Sequence, residues 1–413
     1  MKKITLLLSL CIFQFSLYAQ NWIWTQHSVD GGGGSNTDPF VVTTDSSGNA
    51  SESGCFSGNV SFGPKNIVSS TPFLNYFIVH YDYNGNPLWA SSANMSPGTY
   101  GPGSSLGLGI SSDKAGNTYT TGYYSAPSTF GTYTLNYSGV ANTFIVKYDP
   151  SGNVLWAKGA GFSAGFNMSN GITTDQAGNS YITGNFTDSV TFGPSILTSG
   201  NIYFAKYSAS GTALWGKSPI MLYRNNSGSG NSVTLDNAGH VYITGQYTDS
   251  TTFGAFTLTG GSKKNNNVFI TKYDTAGNVI WAKCATLPSS ACSGVANSIS
   301  ADGAKNVYIT GYYTDSIKFG SYLLTNGGKD SNLFVVKYDA NGNVIWAQGS
   351  KTVNSADWSF GYSISVDRLH NVYVCGTYLD TVKMGGLVLG SAYSQPSFLI
   401  KLDSAGNAVC GST

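Results

Sequence analysis

One phrase recurs along most of this 413-residue chain and decides what it can fold into. It reads D-x-x-G-N, then β-branched and aromatic residues, then T-G, at residues 113–122, 175–184, 236–245, 302–311 and 367–376, with a degenerate first copy at 45–54. A second phrase follows each copy, a pair in which Gly succeeds Phe62, Phe130, Phe192, Phe253 or Phe319, with Met384 as the variant. The third phrase, K-Y-D-x-x-G-N-x-x-W-A, is clearest at 147–157, 272–282 and 337–347. Its Trp slot holds Trp89, Trp156, Trp215, Trp281, Trp346 and finally Cys410. The slots return about every 65 residues, so six units fill the sequence.

Each phrase has a physical reading. An Asp can bond the backbone amides that follow it, and Gly takes the left-handed conformation after a type I turn, which together close a short hairpin with a bulge. Every unit carries two such turns and therefore four short strands, with the Phe-Gly segment free to form an extra pair. Helix is disfavoured: only 10% of residues are charged, with one glutamate, Glu52, and two arginines, Arg224 and Arg368. The chain is expected to be all-β, since residues that fill solvated helix faces are scarce. Tandem four-stranded units with regular turns point to a β-propeller rather than a parallel β-solenoid, whose rungs are shorter. Small residues on the first strand of the units, Gly109, Gly171, Ser232, Ser298 and Ser363, suit a crowded centre.

The D-x-x-G-N-x-Y-x-T-G and K-Y-D-x-x-G-N-x-x-W-A phrases resemble the bacterial SBBP-type β-propeller repeats, over residues 21–413. That resemblance implies an exported or surface protein without an established enzymatic activity, and seven blades. This sequence departs from it by offering six units. An extra Trp strand at 21–26 aligns with the last strand of a unit and is expected to close the ring, lying beside or replacing the final strand around 408–411. The expectation is a six-bladed propeller with an N-terminal closing strand, a seven-bladed one being the alternative.

Lys2 and Lys3, an apolar run over 4–13 and Ala19 form a secretory signal pattern over residues 1–19, leaving 20–413 as the propeller. A secreted, cell-surface or periplasmic protein is expected. Loss of Lys2 and Lys3 changes 21 basic against 20 acidic residues to 19 against 20, a net charge of −1, which speaks against nucleic acid. No later segment reaches the roughly 18 apolar residues that a membrane span requires. Of the cysteines left after cleavage, Cys284 and Cys292 lie in one connection, and a local disulfide is expected there. No metal site is expected, because no C-x-x-C spacing or histidine pair occurs.

Fifteen of the nineteen aspartates occupy repeat slots, where a carboxylate forms a turn. Asp30, Asp38, Asp330 and Asp357 fall outside them. Histidines 27, 80, 240 and 370 are unpaired at ligand spacing, and no phosphate-binding glycine loop occurs, so neither a cofactor nor a catalytic triad is expected. The connections after each Trp strand carry Tyr100, Phe162, Phe166, Tyr223, Arg224, Trp358 and Tyr362, and aromatics on supported loops suit sugar rings or protein anchors. The expected function is a non-catalytic binding or adhesion module, monomeric, with an extracellular protein or glycan as partner. The alternatives are a lectin-like propeller and a polysaccharide-active enzyme using Asp30 and Asp357.

Overall fold

The D-x-x-G-N phrases close hairpins with one set of bonds, His240 taking the place of the Asn side chain at Asp236. At Asp302, Oδ1 accepts the backbone N–H groups of Ala304 and Asn306 at 2.8 and 2.9 Å, and Oδ2 accepts the Asn306 side-chain amide at 2.8 Å. The residue before the Asn sits in the left-handed region, as Gly342 does with φ of 80°, and Lys305 and His370 hold it there without being glycine. Such turns join Ser293–Ala301 to Val307–Thr314 and Ser331–Tyr338 to Val344–Gly349.

The computed structural model describes residues 29–30, 36–69, 71–96, 103–160, 165–198, 201–221, 227–260, 264–325, 330–352, 357–390 and 396–412. They are all-β, and contain six four-stranded antiparallel sheets, each built from one sequence unit. The first strands of the units are Asn36–Thr44, Ser105–Ser112, Asn167–Thr174, Gly228–Leu235, Ser293–Ala301 and Ser359–Val366. These strands pack side by side in sequence order. The approach is close: a Cβ on Gly109 would stand 3.2 Å from the Gly171 Cα, which explains the small residues there.

Phe-Gly segments form separate hairpins, such as Thr251–Phe253 with Phe256–Leu258. Ile220–Met221, which follows the Trp of the preceding unit, pairs with that hairpin, and Lys351–Thr352 pairs in the same way with Thr381–Met384. Val29–Asp30 pairs likewise with Asn59–Phe62 of unit one. The extra strand pair therefore ties consecutive units together rather than widening a sheet.

Tryptophans do the same from the fourth strand. Trp281 donates its indole N–H to the Ala340 carbonyl of the next unit at 3.1 Å, and Trp156 reaches Ala209 at 3.1 Å. A Cβ on Gly342 would lie 3.1 Å from the Trp281 ring, so that glycine answers both a turn and a packing demand. Five apolar clusters each join two consecutive units, for example Tyr242, Val268, Ile270 and Trp281 with Ile309, Tyr313 and Phe334.

The junction between the last and first units is different. The sixth cluster, around Phe56, Phe77, Val79 and Tyr81, contains residues of unit one alone. In unit six Cys410 pairs with Lys401 where the other units place Trp, and both Cys375 and Cys410 are exposed. The expected closing strand at 21–26 lies outside the described residues. Ala408–Ser412 itself forms the fourth strand of unit six, paired with Ser397–Leu402, so the idea that another strand replaces it is corrected.

Candidate functional site

The functional reading of the fold begins with the repeated T-G. Its glycine faces the first strand so closely that a Cβ on Gly245 would stand 1.9 Å from the Ser229 carbonyl oxygen, and on Gly184 the same distance from that of Met168. That approach accompanies a β-bulge in every first strand: the register jumps from Gly230 to Ser232 opposite Gly245 and Thr244, leaving Asn231 unpaired. The same jump leaves Phe40, Leu108, Asn170, Asn297 and Tyr362 unpaired in the other units. A bulge re-aims the extra side chain. Here all six line one central cavity of about 880 Å³.

The wall of that cavity has two characters. Units three to five contribute Asn170, Asn231 and Asn297, whose amide nitrogens reach the next unit: to Gly230 O at 3.0 Å, Ala296 O at 2.8 Å and Gly361 O at 2.8 Å. Each asparagine thus stitches two inner strands, and its amide oxygen has no protein partner among the described residues. Units six, one and two contribute Tyr362, Phe40 and Leu108. Tyr362 is 52% exposed and Phe40 47%, far more than the core rings of the same chain.

Glu52 also lines the cavity, at a strand position where Ile182, Ile243, Ile309 and Val374 stand in other units. Burial raises its carboxyl above the ordinary range, opposed in part by the Tyr81 hydroxyl, which donates to Oε1 at 2.8 Å. Among its described lining residues the cavity has no Lys, Arg or His, and Glu52 is the sole carboxylate.

Of the residues expected on the connections, Phe166, Trp358 and Tyr362 lie among the described residues. Tyr100, Phe162, Tyr223 and Arg224 lie outside the described residues. Phe166 is half-buried with its ring 5.8 Å from Tyr123, and Trp358 is half-buried with its ring 5.1 Å from Phe360. Tyr362 is not a connection residue but the bulge of an inner strand, and it alone of the described ones reaches the cavity. Asp357 is 3% exposed, which removes it from the surface; the Asp30 side chain lies outside the description.

The Cys284–Cys292 disulfide is corrected, since both thiols are free. Cys292 turns toward Ser316 Oγ at 3.3 Å, whereas Cys284 sits by Tyr247. Among the described residues no cluster of three His, Cys, Asp or Glu side chains could hold a metal ion, and no helix is long and apolar enough to cross a membrane.

Sequence reasoning missed the cavity. The available signal was the residue directly before each small first-strand position, where Asn170, Asn231 and Asn297 precede Gly171, Ser232 and Ser298.

No known family model matches the chain. An uncharacterized WD repeat-containing protein of Acanthamoeba polyphaga mimivirus is 26% identical, across 66% of this chain and 25% of the relative. The chain thus spans about a quarter of that relative's length. Solved structures that are similar include a protein of unknown function from Bacteroides caccae, at 11% identity over 81% of this chain and 88% of that one, with a TM-score of 0.40. Another is an ulvan lyase of polysaccharide lyase family PL25, at 10% identity over 91% and 80%, with a TM-score of 0.43.

Proposed function

We propose that the chain is an exported, non-catalytic β-propeller whose central channel serves a binding or adhesion module at or beyond the cell surface. The observation that carries this reading is the set of six bulged first strands, which turn one side chain per unit into a common cavity. Support for the propeller comes from the consecutive inner strands, the shared apolar clusters and the repeated Trp-to-turn bonds. The six sheets among the described residues support a reading with six blades, seven being the alternative. Export rests on the signal pattern of residues 1–19.

The non-catalytic reading is supported by the destination of the carboxylates. Turn aspartates such as Asp339 spend both oxygens on their own hairpin, and an acid pair of the glycosidase kind needs two carboxylates flanking one bond, where the cavity offers Glu52. The experiment is an array of glycans and extracellular matrix proteins probed with residues 20–413, followed by mass analysis of the bound material. Selective retention with the ligand intact agrees with the reading; shortened or unsaturated saccharide products overturn it.

A further inference from the structure

We propose that the central channel is a saccharide site, taking an uncharged sugar unit between the asparagine wall of units three to five and the rings of Phe40 and Tyr362. The proposal rests on the channel-binding reading above and names its ligand class.

Hydrogen-bond bookkeeping sets the first requirement. Asn170 and Asn231 each spend both amide N–H groups on neighbouring protein atoms and Asn297 spends one, so what these three side chains leave is three amide oxygens and one N–H. The hydroxyls of Ser232 and Ser298 already accept the backbone N–H groups of Ile299 and Ile364, at 3.4 and 3.2 Å. Because an accepting hydroxyl keeps its own O–H, Ser232, Ser298 and Tyr362 can donate while the asparagine oxygens accept, and a matching ligand must bring groups that do both. Sugar hydroxyls do so in number.

The second requirement is an apolar face. Phe40 and Tyr362 are large rings left about half exposed at the bulges of their strands, and a pyranose ring presents C–H groups on one face that fit such surfaces while its hydroxyls point away. Tyr362 is held in place, its ring stacked on Phe360 at 6.2 Å and its hydroxyl accepting from Thr377 Oγ1 at 3.2 Å.

Charge sets the third. A uronate or sulfated sugar would meet no cation in the lining and would share the cavity with Glu52, so an anion there is uncompensated. A quaternary ammonium could lie against the rings but brings no N–H donor, which leaves the three asparagine oxygens unmatched. The volume falls inside the range of about 300–1,000 Å³ that small-ligand sites occupy.

Two thiols make the test internal. Cys375 lines the cavity, whereas Cys410 is exposed outside it. Residues 20–413 are titrated calorimetrically with neutral gluco-, manno- and galacto-oligosaccharides, with oligouronates and with choline, and maleimide labelling of both cysteines is followed by peptide mass analysis. The expected result is binding of a neutral oligosaccharide that slows labelling of Cys375 at least tenfold and leaves Cys410 unchanged. Phe40→Ala and Tyr362→Ala should each weaken that binding at least tenfold and lower the thermal midpoint only slightly, because each ring is already about half exposed. Binding confined to oligouronates or choline, or sugar binding that leaves Cys375 unprotected, overturns the proposal. So does failure of every saccharide to bind, and a matrix-protein hit in the array would then leave the wider binding reading standing.

Discussion

Gly311 and Val295 approach so closely that a Cβ on the glycine would stand 1.9 Å from the Val295 carbonyl oxygen. The neighbouring bulge places Asn297 in the channel, so this contact joins a sequence phrase to the candidate site. Gly311→Ala must displace backbone, and its cost should reach or exceed the upper end of the ~1–3 kcal/mol typical of overpacking. Gly386→Ala, where nothing lies within 4 Å of the new carbon, should be near neutral. Urea unfolding of both variants checks the contrast.

The turn aspartates predict acid sensitivity. For Asp302 burial opposes ionisation, but hydrogen bonds from Asn306, Tyr308 and Ala304 outweigh it and hold the carboxyl below its ordinary value. A lowered folded pKa gives stability that is present above the ordinary carboxyl range and is lost as pH falls through the folded value. Asp82, Asp149, Asp236, Asp274, Asp339, Asp367 and Asp403 are shifted the same way. Asp302→Asn should lose about 1–3 kcal/mol at neutral pH and show a shallower decline on acidification. Urea midpoints measured down to about pH 3 report it.

Glu52 should behave with the opposite sign. Its carboxyl is raised by burial, so its contribution to stability is present below the ordinary carboxyl pKa and is lost as pH rises through the raised value. Glu52→Gln removes that loss. The variant should gain relative to the parent when midpoints at about pH 8 are compared with those at about pH 4.

Thiol chemistry separates the cysteines. Cys55 and Cys292 are buried, and burial together with Asp38 pushes the Cys55 thiol up to about 12. Without denaturant, residues 20–413 should react with maleimide first at Cys410 and Cys375, and in denaturant all five thiols should react without prior reduction. A mass two hydrogens short, mapped to the peptides of Cys284 and Cys292, would contradict the free thiols.

Much of the architecture was legible because it repeats. Asp302 and Asn306 recur as a pair in the turns, and the Trp slot recurs as a bridge to the next hairpin, so their chemistry is readable without coordinates. The channel was not legible for a physical reason. Strand alternation assigns faces with a period of two, and a bulge inserts one residue that breaks the count. Tyr362 was consequently read as part of a connection, and Phe40, Asn170, Asn231 and Asn297 were not singled out. Glu52 stood out as the one glutamate, yet only pairing against Val42 and Val79 shows that it replaces an aliphatic residue in a strand. Cys284 and Cys292 mislead in the other direction, since nearness in sequence does not turn two side chains toward each other.

The most direct measurement is to probe the glycan and matrix-protein array with residues 20–413 beside the Tyr362→Ala and Trp358→Ala variants, after matching their thermal midpoints. The channel account predicts that Tyr362→Ala loses the selective signal and Trp358→Ala keeps it. A signal lost in Trp358→Ala and retained in Tyr362→Ala would place binding on the connections and contradict the account.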